Sequence, residues 1–406
     1  MDLVNLTSIV SDMKKIFLLL FLLPALSFGQ ETKVKNVILL IGDGMGLSQV
    51  STAFYYNNNV APNFAKFKHI GLINTSSARE KITDSAAGAT AFATGTRSYN
   101  GAISVDTNKK SLPTILEYAE KKDVKTGLVA TSSIVHATPA SFYAHVDSRS
   151  KYEDIAKFLP KSGVDFFAGG GLKFFNKRSD GSDYFTELIK KGYQMDTTVL
   201  SNDLKLNIAK KYGFLLAEDG MDSKLEGRGD FLREATDLAL RYLTKSETGF
   251  FLMIEGSQID WEGHACNTEG IIQEVKDFDR AIGEAINFAS VNANTLVIVT
   301  ADHETGGFAL SPKGEKGSWN SNELDPKFYQ GADNEEYSYA AHTATLIPVF
   351  AYGAGAEEFM GIYDNNEIFH KIMKLTRWSE PIEKRELKNV DPSVVPVKID
   401  PYKRER

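Results

Sequence analysis

Short apolar runs alternate with amphipathic stretches along most of this chain. The apolar runs have the length of buried strands and cover residues 34–41, 126–131, 250–255, 296–300 and 347–352. Between them, two stretches carry apolar residues at the three- and four-residue spacing of helices, at 111–122 and 268–289. Strands that alternate with helices favour a mostly parallel sheet, so we predict an α/β fold.

Acidic residues stand where three of these runs end. Asp43 follows the first run, Glu255 ends the third, and Asp302 and His303 follow the fourth. In open α/β sheets, ligands bind at the carboxyl ends of the strands. We therefore expect these side chains, although distant along the chain, to meet at one place.

Small residues between 83 and 91 predict a helix with a serine in its first turn. Asp84 or Ser85 could cap the unpaired backbone N–H groups of such a helix. A hydroxyl at this end lies in the positive field of the helix dipole, where anions bind. A capping serine is commoner than a nucleophile, so Ser85 is a candidate nucleophile only because of the acids and histidines elsewhere in the chain.

Two further groups have the chemistry of metal ligands. Asp260 and His264 are four residues apart, which places both on one face of a helical turn and suits zinc. Taken alone, the pair is more typical of a solvated aspartate beside an unrelated histidine, and His342 alone is unremarkable. The adjacent Asp302 and His303 can share a metal only on a turn, which the glycine-containing segment 301–307 supplies.

Composition narrows the function. The chain has 406 residues, of which 42% are hydrophobic, and a formal net charge of −7 without a basic stripe, which argues against nucleic-acid binding. An acidic protein that handles an anionic substrate needs a local positive field, which metals and an arginine can supply. Cys266 is the only cysteine, so an intrachain disulfide and a cysteine-rich zinc site are both excluded.

The termini differ from the rest of the chain. Lys14 and Lys15 precede an apolar run at 16–28, which predicts a cleaved signal peptide over residues 1–29, with Met13 as the true start. The run is too short for a stable membrane anchor, so we expect a protein secreted to the periplasm or the extracellular space. We predict one domain over residues 30–375, with an excursion at 311–340, and a charged extension over 376–406.

Several strings of residues together resemble the alkaline phosphatases of the bacterial and animal type. They occur in that family's order, at compatible spacings, at residues 41–46, 83–87, 137–140, 255–264 and 300–303. The resemblance implies a three-layer sandwich with a large, mostly parallel central sheet flanked by helices. It also implies a homodimer that binds two zinc ions and a third metal, usually magnesium, in each chain.

The resemblance also assigns residues to the metals. The ligands of one zinc would be Asp260, His264 and His342. The ligands of the second would be Asp43, Asp302 and His303, together with the nucleophile Ser85. The third metal would share Asp43 and take Thr138 and Glu255.

The remaining expectations concern the substrate. Arg149 matches the arginine that binds the substrate phosphate, and its two-pronged guanidinium suits a phosphate monoester. His136 and Trp261 stand behind the ligands, where the best-known bacterial enzymes often carry aspartate and lysine. The implied reaction is hydrolysis of phosphate monoesters at alkaline pH through a phosphoserine. Imidazole at His136 suits zinc better than magnesium, so the third metal could be either ion.

Two other functions remain open from the sequence. One is a phosphodiesterase or nucleotide pyrophosphatase on the same scaffold. Ser85 together with Arg149 favours monoesters over diesters, because a diester masks one of the oxygens that the arginine would bind. The other is a non-catalytic periplasmic binder of phosphate or metal. The sequence argues against such a binder, because it has a residue of suitable chemistry for every catalytic role.

Overall fold

The computed structural model describes residues 34–201, 203–314, 318, 320–329 and 340–379. The predicted signal peptide lies outside these residues, as does the C-terminal extension after residue 379. Within the described residues, no helix has the length and apolar character needed to span a membrane.

A ten-stranded sheet forms the centre of the described structure. Its strands, in spatial order, are β14 (Gly361–Asp364), β2 (His69–Asn74), β13 (Ile347–Gly353), β8 (Thr295–Thr300), β1 (Asn36–Gly42), β7 (Phe250–Gly256), β3 (Lys125–Ser133), β4 (Phe166–Gly170), β6 (Lys211–Leu215) and β5 (Tyr193–Asp196). All neighbours pair in parallel except those of β13, which is antiparallel to both β2 and β8. Strands β1, β7 and β8 are almost completely buried, which explains why their sequences are continuous apolar runs.

Two short pairs of strands lie beside this sheet. One is a hairpin of β10 (Phe308–Lys313) and β11 (Asn320–Phe328), and the other joins β9 (Glu304–Thr305) to β12 (His342–Thr343). The hairpin occupies much of the predicted excursion at 311–340, while residues 330–339 lie outside the described structure.

Helices cover both faces of the central sheet, which confirms the predicted sandwich. They are α1 (Leu47–Tyr55), α2 (Ser85–Thr94), α3 (Ile115–Glu120), α4 (Ala137–Ala140), α5 (Tyr152–Ala156), α6 (Lys173–Asn176), α7 (Tyr184–Lys190), α8 (Phe231–Leu243), α9 (Gln258–His264), α10 (Thr268–Val291) and α11 (Glu367–Thr376), with 3-10 turns at Asn63–Lys66, Leu159–Lys161 and Ala356–Phe359. Helix α10 packs against α8 and against the central strands, whereas α2 packs against α4 and α11.

The helix predicted over residues 111–122 is shorter in the structure. Thr114 accepts a hydrogen bond from the Glu117 backbone N–H, and the Glu117 carboxylate accepts one from the Thr114 N–H. This reciprocal capping box makes Ile115 the first helical residue. Pro113 also disfavours helical backbone at the residue before it, so the helix does not begin at residue 111.

The register of the sheet brings the predicted site together. Ile41 of β1 pairs with both Glu255 of β7 and Thr300 of β8, so the carboxyl ends of three neighbouring strands lie at one level. Asp43 and Asp302 therefore emerge side by side with Glu255.

Candidate active site

Helix α2 places the Ser85 hydroxyl at the carboxyl edge of the sheet. Asp84 is the N-cap, and its Oδ1 accepts a hydrogen bond of 2.9 Å from the Ala87 backbone N–H. Ser85 is the first helical residue, and its Oγ lies 3.4 Å from Asp43 Oδ1 and 3.3 Å from His303 Nε2. Because the Asp84 side chain caps the helix, the Ser85 hydroxyl is not used for capping. It faces the cluster of acids and histidines instead.

Asp302 packs closely against the same helix. A Cβ atom at Gly88 would come within 2.8 Å of Asp302 Cβ, so the small residues of α2 allow this approach. Asp302 Oδ1 accepts a hydrogen bond of 3.2 Å from the Gly44 N–H, and Oδ2 lies 3.3 Å from His303 Nε2. The residues predicted for the second zinc therefore surround Ser85 Oγ.

Asp260, His264 and His342 form an adjacent cluster, in which one atom from each lies within 4.8 Å of the others. The Nε2 atoms of the two histidines are 3.2 Å apart, and Asp260 Oδ2 is 3.3 Å from His264 Nε2. Nδ1 of His264 contacts the Ala340 carbonyl, and Nδ1 of His342 lies 3.0 Å from the Thr83 carbonyl. Since carbonyls only accept, both Nδ1 atoms donate, and both Nε2 lone pairs are directed at the cluster.

A third cluster contains Asp43, His136 and Glu255, again with atoms within 4.8 Å of one another. Thr138, from the same α4 segment as His136, is fully buried. Glu255 Oε2 accepts a hydrogen bond of 3.2 Å from Ser132 Oγ. Asp43 contributes to two clusters, because the Asp43, Asp260 and His303 atoms also lie within 4.8 Å of one another.

Several buried atoms of these clusters lack a hydrogen-bond partner among the described residues. They are Asp43 Oδ2, Asp302 Oδ2, Glu255 Oε1, Thr138 Oγ1 and His136 Nδ1. Buried polar atoms are normally paired, and buried carboxylates need counter-charges. Oxygen and imidazole donors that converge without partners fit divalent metal ions.

The electrostatics lead to the same conclusion. Burial and the neighbouring carboxylates raise the pKa of Asp43 well above its ordinary value. Burial and the Asp260 charge raise the pKa of Asp302 to about 6, and burial raises that of Glu255 to about 7. Burial and the nearby His342 hold the pKa of His303 well below its ordinary value. Such a site favours neutral ligands until cations supply the missing positive charge.

Arg149 faces the same space from another segment. Its Nη1 donates to Asp84 Oδ2 at 3.1 Å, and its Nη2 lies 3.4 Å from His136 Nε2. Burial and the guanidinium lower the pKa of His136 to about 3, so this imidazole is neutral. The ring of His136 also meets Trp261 edge to face, with 5.7 Å between ring centroids.

A cavity of about 530 Å³ connects these groups to the surface, and Ser85, His136, Arg149, Trp261 and His342 all line it. Gly220 lies beside the Trp261 indole, where a Cβ atom would come within 2.7 Å of the ring. The cavity is lined by a hydroxyl, a guanidinium and candidate metal ligands, which is a suitable lining for a small phosphorylated substrate.

The twelve residues singled out in the sequence all lie at this edge of the sheet. The sequence did not indicate that Asp84 contacts Arg149 as well as capping α2. It also gave no role to Thr305, whose hydroxyl donates to Asp260 Oδ1 and lies 3.3 Å from His303 Nδ1. The sequence of segment 301–307 predicts only a turn that carries Asp302 and His303.

Solved structures and curated sequences resemble this chain over most of its length. The alkaline phosphatase from the Antarctic bacterium TAB5 is 52% identical, with a TM-score of 0.80 over 86% of this chain and 99% of that chain. Alkaline phosphatase 4 of Bacillus subtilis is 33% identical over 418 residues, which cover 86% of this chain and 90% of the relative. The Escherichia coli alkaline phosphatase is 32% identical over 405 residues, covering 84% and 86% of the two chains.

A family model for alkaline phosphatase matches residues 34–329, which contain Ser85, Arg149 and all the metal-binding candidates except His342. The match agrees with the ten-stranded sheet, the serine at the start of α2 and the acidic clusters beside it. The chain belongs to the alkaline phosphatase family and hydrolyses phosphate monoesters.

Proposed function

We propose that this hydrolysis proceeds through a phosphoserine at Ser85. The observation that carries the proposal is the position of Ser85 Oγ, 3.3 Å from His303 Nε2 and 3.4 Å from Asp43 Oδ1, at a helix start that opens into the cavity shared with Arg149. A helix N-terminus stabilises an attached phosphate, because its backbone N–H groups and dipole favour negative charge.

The reaction has two in-line steps. Ser85 loses its hydroxyl proton as Oγ attacks phosphorus, the bond from phosphorus to the alcohol oxygen breaks, and the alcohol oxygen takes up a proton as it leaves. Water then attacks phosphorus, the bond to Ser85 Oγ breaks, and the products are inorganic phosphate and the restored serine. Two inversions give overall retention of configuration at phosphorus.

Arg149 orients the phosphate during both steps. Its fork can donate to two non-bridging oxygens at once, and its bond to Asp84 holds the fork next to Ser85. A monoester offers more such oxygens than a diester, so this contact supports phosphomonoesterase activity over the diesterase alternative.

We further propose that the chain binds two zinc ions and a third metal. Asp260, His264 and His342 would hold one zinc; Asp43, Asp302 and His303, with Ser85, would hold the other. When bound, these cations favour the deprotonated serine and water and offset charge on the leaving oxygen. The unpartnered carboxylate oxygens and the histidine Nε2 atoms support this assignment.

Asp43, Thr138 and Glu255 would hold the third metal, which we propose to be magnesium, with zinc as the alternative. A structure of the TAB5 enzyme in which a histidine is replaced by aspartate contains magnesium at a site called M3. In this chain His136 Nδ1 is buried without a partner among the described residues, and one ring nitrogen of His136 lies within 4.8 Å of carboxylate oxygens of Asp43 and Glu255. Imidazole at this place favours zinc, so the metal content of wild type and His136→Asp would distinguish the two ions.

Replacement of the nucleophile tests the proposal. Ser85→Ala should lose turnover of a phosphate monoester roughly a thousandfold or more, while inorganic phosphate still binds; Ser51→Ala on α1 serves as the control. Wild-type enzyme quenched in acid during turnover should carry phosphate on the peptide that contains Ser85. Phosphate on another residue, or an active Ser85→Ala enzyme, would refute the mechanism.

A comparison of substrates tests the reaction class. The rate on an aryl phosphate monoester should far exceed that on the matching diester, and Arg149→Ala should reduce the monoester rate more than the diester rate. A non-catalytic binder would show neither rate.

The remaining assignments concern the whole protein. We propose one catalytic domain over residues 30–375, export to the periplasm or the extracellular space after removal of residues 1–29, and a homodimer. The charged residues before the apolar run at 16–28 support export, and the family resemblance supports the dimer. N-terminal sequencing of the exported protein and its mass in solution test these assignments.

A further inference from the structure

The buried carboxylate of Glu304 lies directly behind the candidate metal clusters. Its side chain accepts four hydrogen bonds from described residues and makes no ion pair among them. Oε1 accepts from Gln49 Nε2 at 2.9 Å and from the Phe308 N–H at 3.0 Å. Oε2 accepts from the Gly307 N–H at 3.2 Å and from the Thr343 hydroxyl. Four donors around one carboxylate fix its orientation.

Glu304 and Thr343 form one face of the two-stranded ribbon of β9 and β12. In this ribbon Thr343 pairs with Glu304, and His342 pairs with Thr305. Because side chains alternate along a strand, His342 and Thr305 lie together on the opposite face. That face contacts the metal-binding residues: Thr305 donates to Asp260, and His342 Nε2 lies 3.2 Å from His264 Nε2.

The ribbon is only two residues long on each strand, so its backbone pairing defines the register weakly. Further contacts hold β12, including bonds from the Gly306 N–H to the Ala341 carbonyl at 3.0 Å and from the Ala340 N–H to the His264 carbonyl at 2.9 Å. On the face of the ribbon away from the cluster, the hydrogen bond from the Thr343 hydroxyl to Glu304 joins β12 to β9 through their side chains.

Glu304 also contacts the segment that carries Asp43. A Cβ atom at Gly46 would come within 2.4 Å of Glu304 Cγ, so the turn after β1 packs directly on this side chain. Gln49, at the start of α1, donates to Glu304 Oε1 and to the Thr305 carbonyl at 2.9 Å. One carboxylate thus joins the segments that bear Asp43, His303 and His342.

We infer that Glu304 is a positioning residue that, through Thr343, fixes the position of His342 in its cluster with Asp260 and His264. The inference rests on the proposed function, because it takes that cluster to be a metal site. Residues that orient metal ligands typically contribute 10–100-fold to metal affinity.

Metal binding, measured without turnover, tests this role. The metal-free protein is titrated with Co²⁺ and with Zn²⁺ against a competing chelator, and the visible Co²⁺ spectrum is recorded. Glu304→Gln and Thr343→Val should each weaken the site of Asp260, His264 and His342 by about 10–100-fold and change its Co²⁺ spectrum. Thr343→Ser retains the hydroxyl and should bind metal as wild type does. Glu323→Gln, at an exposed glutamate of the β10–β11 hairpin that pairs with Lys313, is the control.

The outcomes distinguish the positioning role of Glu304 from the metal assignment on which it rests. His264→Ala removes a direct ligand candidate and should abolish the same site. If His264→Ala leaves metal binding unchanged, the proposed metal assignment fails. If His264→Ala loses one metal while Glu304→Gln and Thr343→Val bind as wild type does, the positioning role alone is wrong. Equal weakening of every site in Thr343→Val would also overturn it, because the link acts on His342 alone.

Discussion

Asp84 uses its two carboxylate oxygens for two different tasks, and one of them is to hold Arg149. Oδ1 caps α2 through the Ala87 N–H at 2.9 Å, and Oδ2 accepts from Arg149 Nη1 at 3.1 Å. The residue that caps the helix of Ser85, the proposed nucleophile, therefore also orients Arg149, the proposed phosphate ligand, and one substitution can separate the two tasks.

Asp84→Asn should retain the helix cap and lose the grip on Arg149. Asparagine caps helices about as well as aspartate, so the melting temperature should change little. Its amide nitrogen cannot accept from the guanidinium, so inhibition by inorganic phosphate should weaken by roughly tenfold, or about 1.4 kcal/mol. Asp84→Ala should show the same weakening together with about 1 kcal/mol loss of stability. Unchanged inhibition in both variants would contradict the link.

His136 and Trp261 should make the enzyme release phosphate more easily. The double variant His136→Asp, Trp261→Lys adds a carboxylate for the proposed third metal and an ammonium near the proposed phosphate site. We expect tighter product inhibition in the double variant than in wild type, measured as the inhibition constant of inorganic phosphate. Equal constants would show that these two positions do not control product binding.

Removal of metal should cost both stability and activity. Without cations, Asp43, Glu255 and Asp302 are buried close together with unpartnered oxygens, and their repulsion opposes folding. Chelation should therefore lower the melting temperature and abolish turnover, and added zinc should restore both. Calorimetry and rate measurements on the same samples would show whether the two effects return together.

Gly88→Ala should behave unlike an ordinary glycine-to-alanine change in a helix. Alanine is favoured by up to about 1 kcal/mol in helices, but here its Cβ would lie 2.8 Å from Asp302 Cβ. We expect Asp302 to shift and the turnover rate to fall. Gly283→Ala in α10 is a matched control, because its Cβ would approach Asn63 equally closely, at 2.8 Å, away from the cavity. A rate that falls equally in both variants would refute the explanation.

His145 and Glu117 should give a contribution to stability that depends on pH. Burial opposes charge on both groups, but their contact at 3.2 Å raises the pKa of His145 and lowers that of Glu117. The histidine contribution is complete below its unfolded pKa of about 6.5 and is lost as pH rises through the folded value. The glutamate contribution is complete above its unfolded pKa of about 4.3 and is lost as pH falls through the folded value.

His145→Gln should therefore destabilise the protein more near pH 5.5 than near pH 8.5. The pair is partly exposed, so the difference should be only about 0.5 kcal/mol. Chemical denaturation at the two pH values measures it. His69→Gln on β2, a histidine without a carboxylate contact in the described structure, controls for the loss of an imidazole. A pH-independent effect of His145→Gln would contradict the prediction.

The sequence predicted those parts of the site that depend on regular periodicity. Buried parallel strands are continuous apolar runs, so the positions of Asp43, Glu255 and Asp302 at strand ends could be read directly. The four-residue spacing of Asp260 and His264 predicted their shared face, which α9 confirms. The separate ligand sets came from the family resemblance, because spacing alone does not show which distant residues meet.

Other features of the sheet and the site leave too weak a pattern in the sequence to be predicted from it. The strands β9 and β12 have two residues each, which is too short for a period of two to be visible, so the link from Glu304 to Thr343 was not foreseen. The apolar residues of β13 predict a buried strand, but they do not indicate that it runs antiparallel to β2 and β8. The second contact of Asp84 joins residues 65 positions apart and has no local signal.

The place of β13 in the sheet has a consequence for biosynthesis. Strand β2 is made early, yet in the sheet its neighbours are β13 and β14, which follow the other eight strands of the sheet along the chain. Until residues near 364 are available, the edges of β2 have no native partner, and pairing over such a long sequence separation is slow. A chain truncated before β13 would expose these edges and is expected to aggregate. Completion of the sheet thus waits for the synthesis of residues near 364, long after β2 itself has been made.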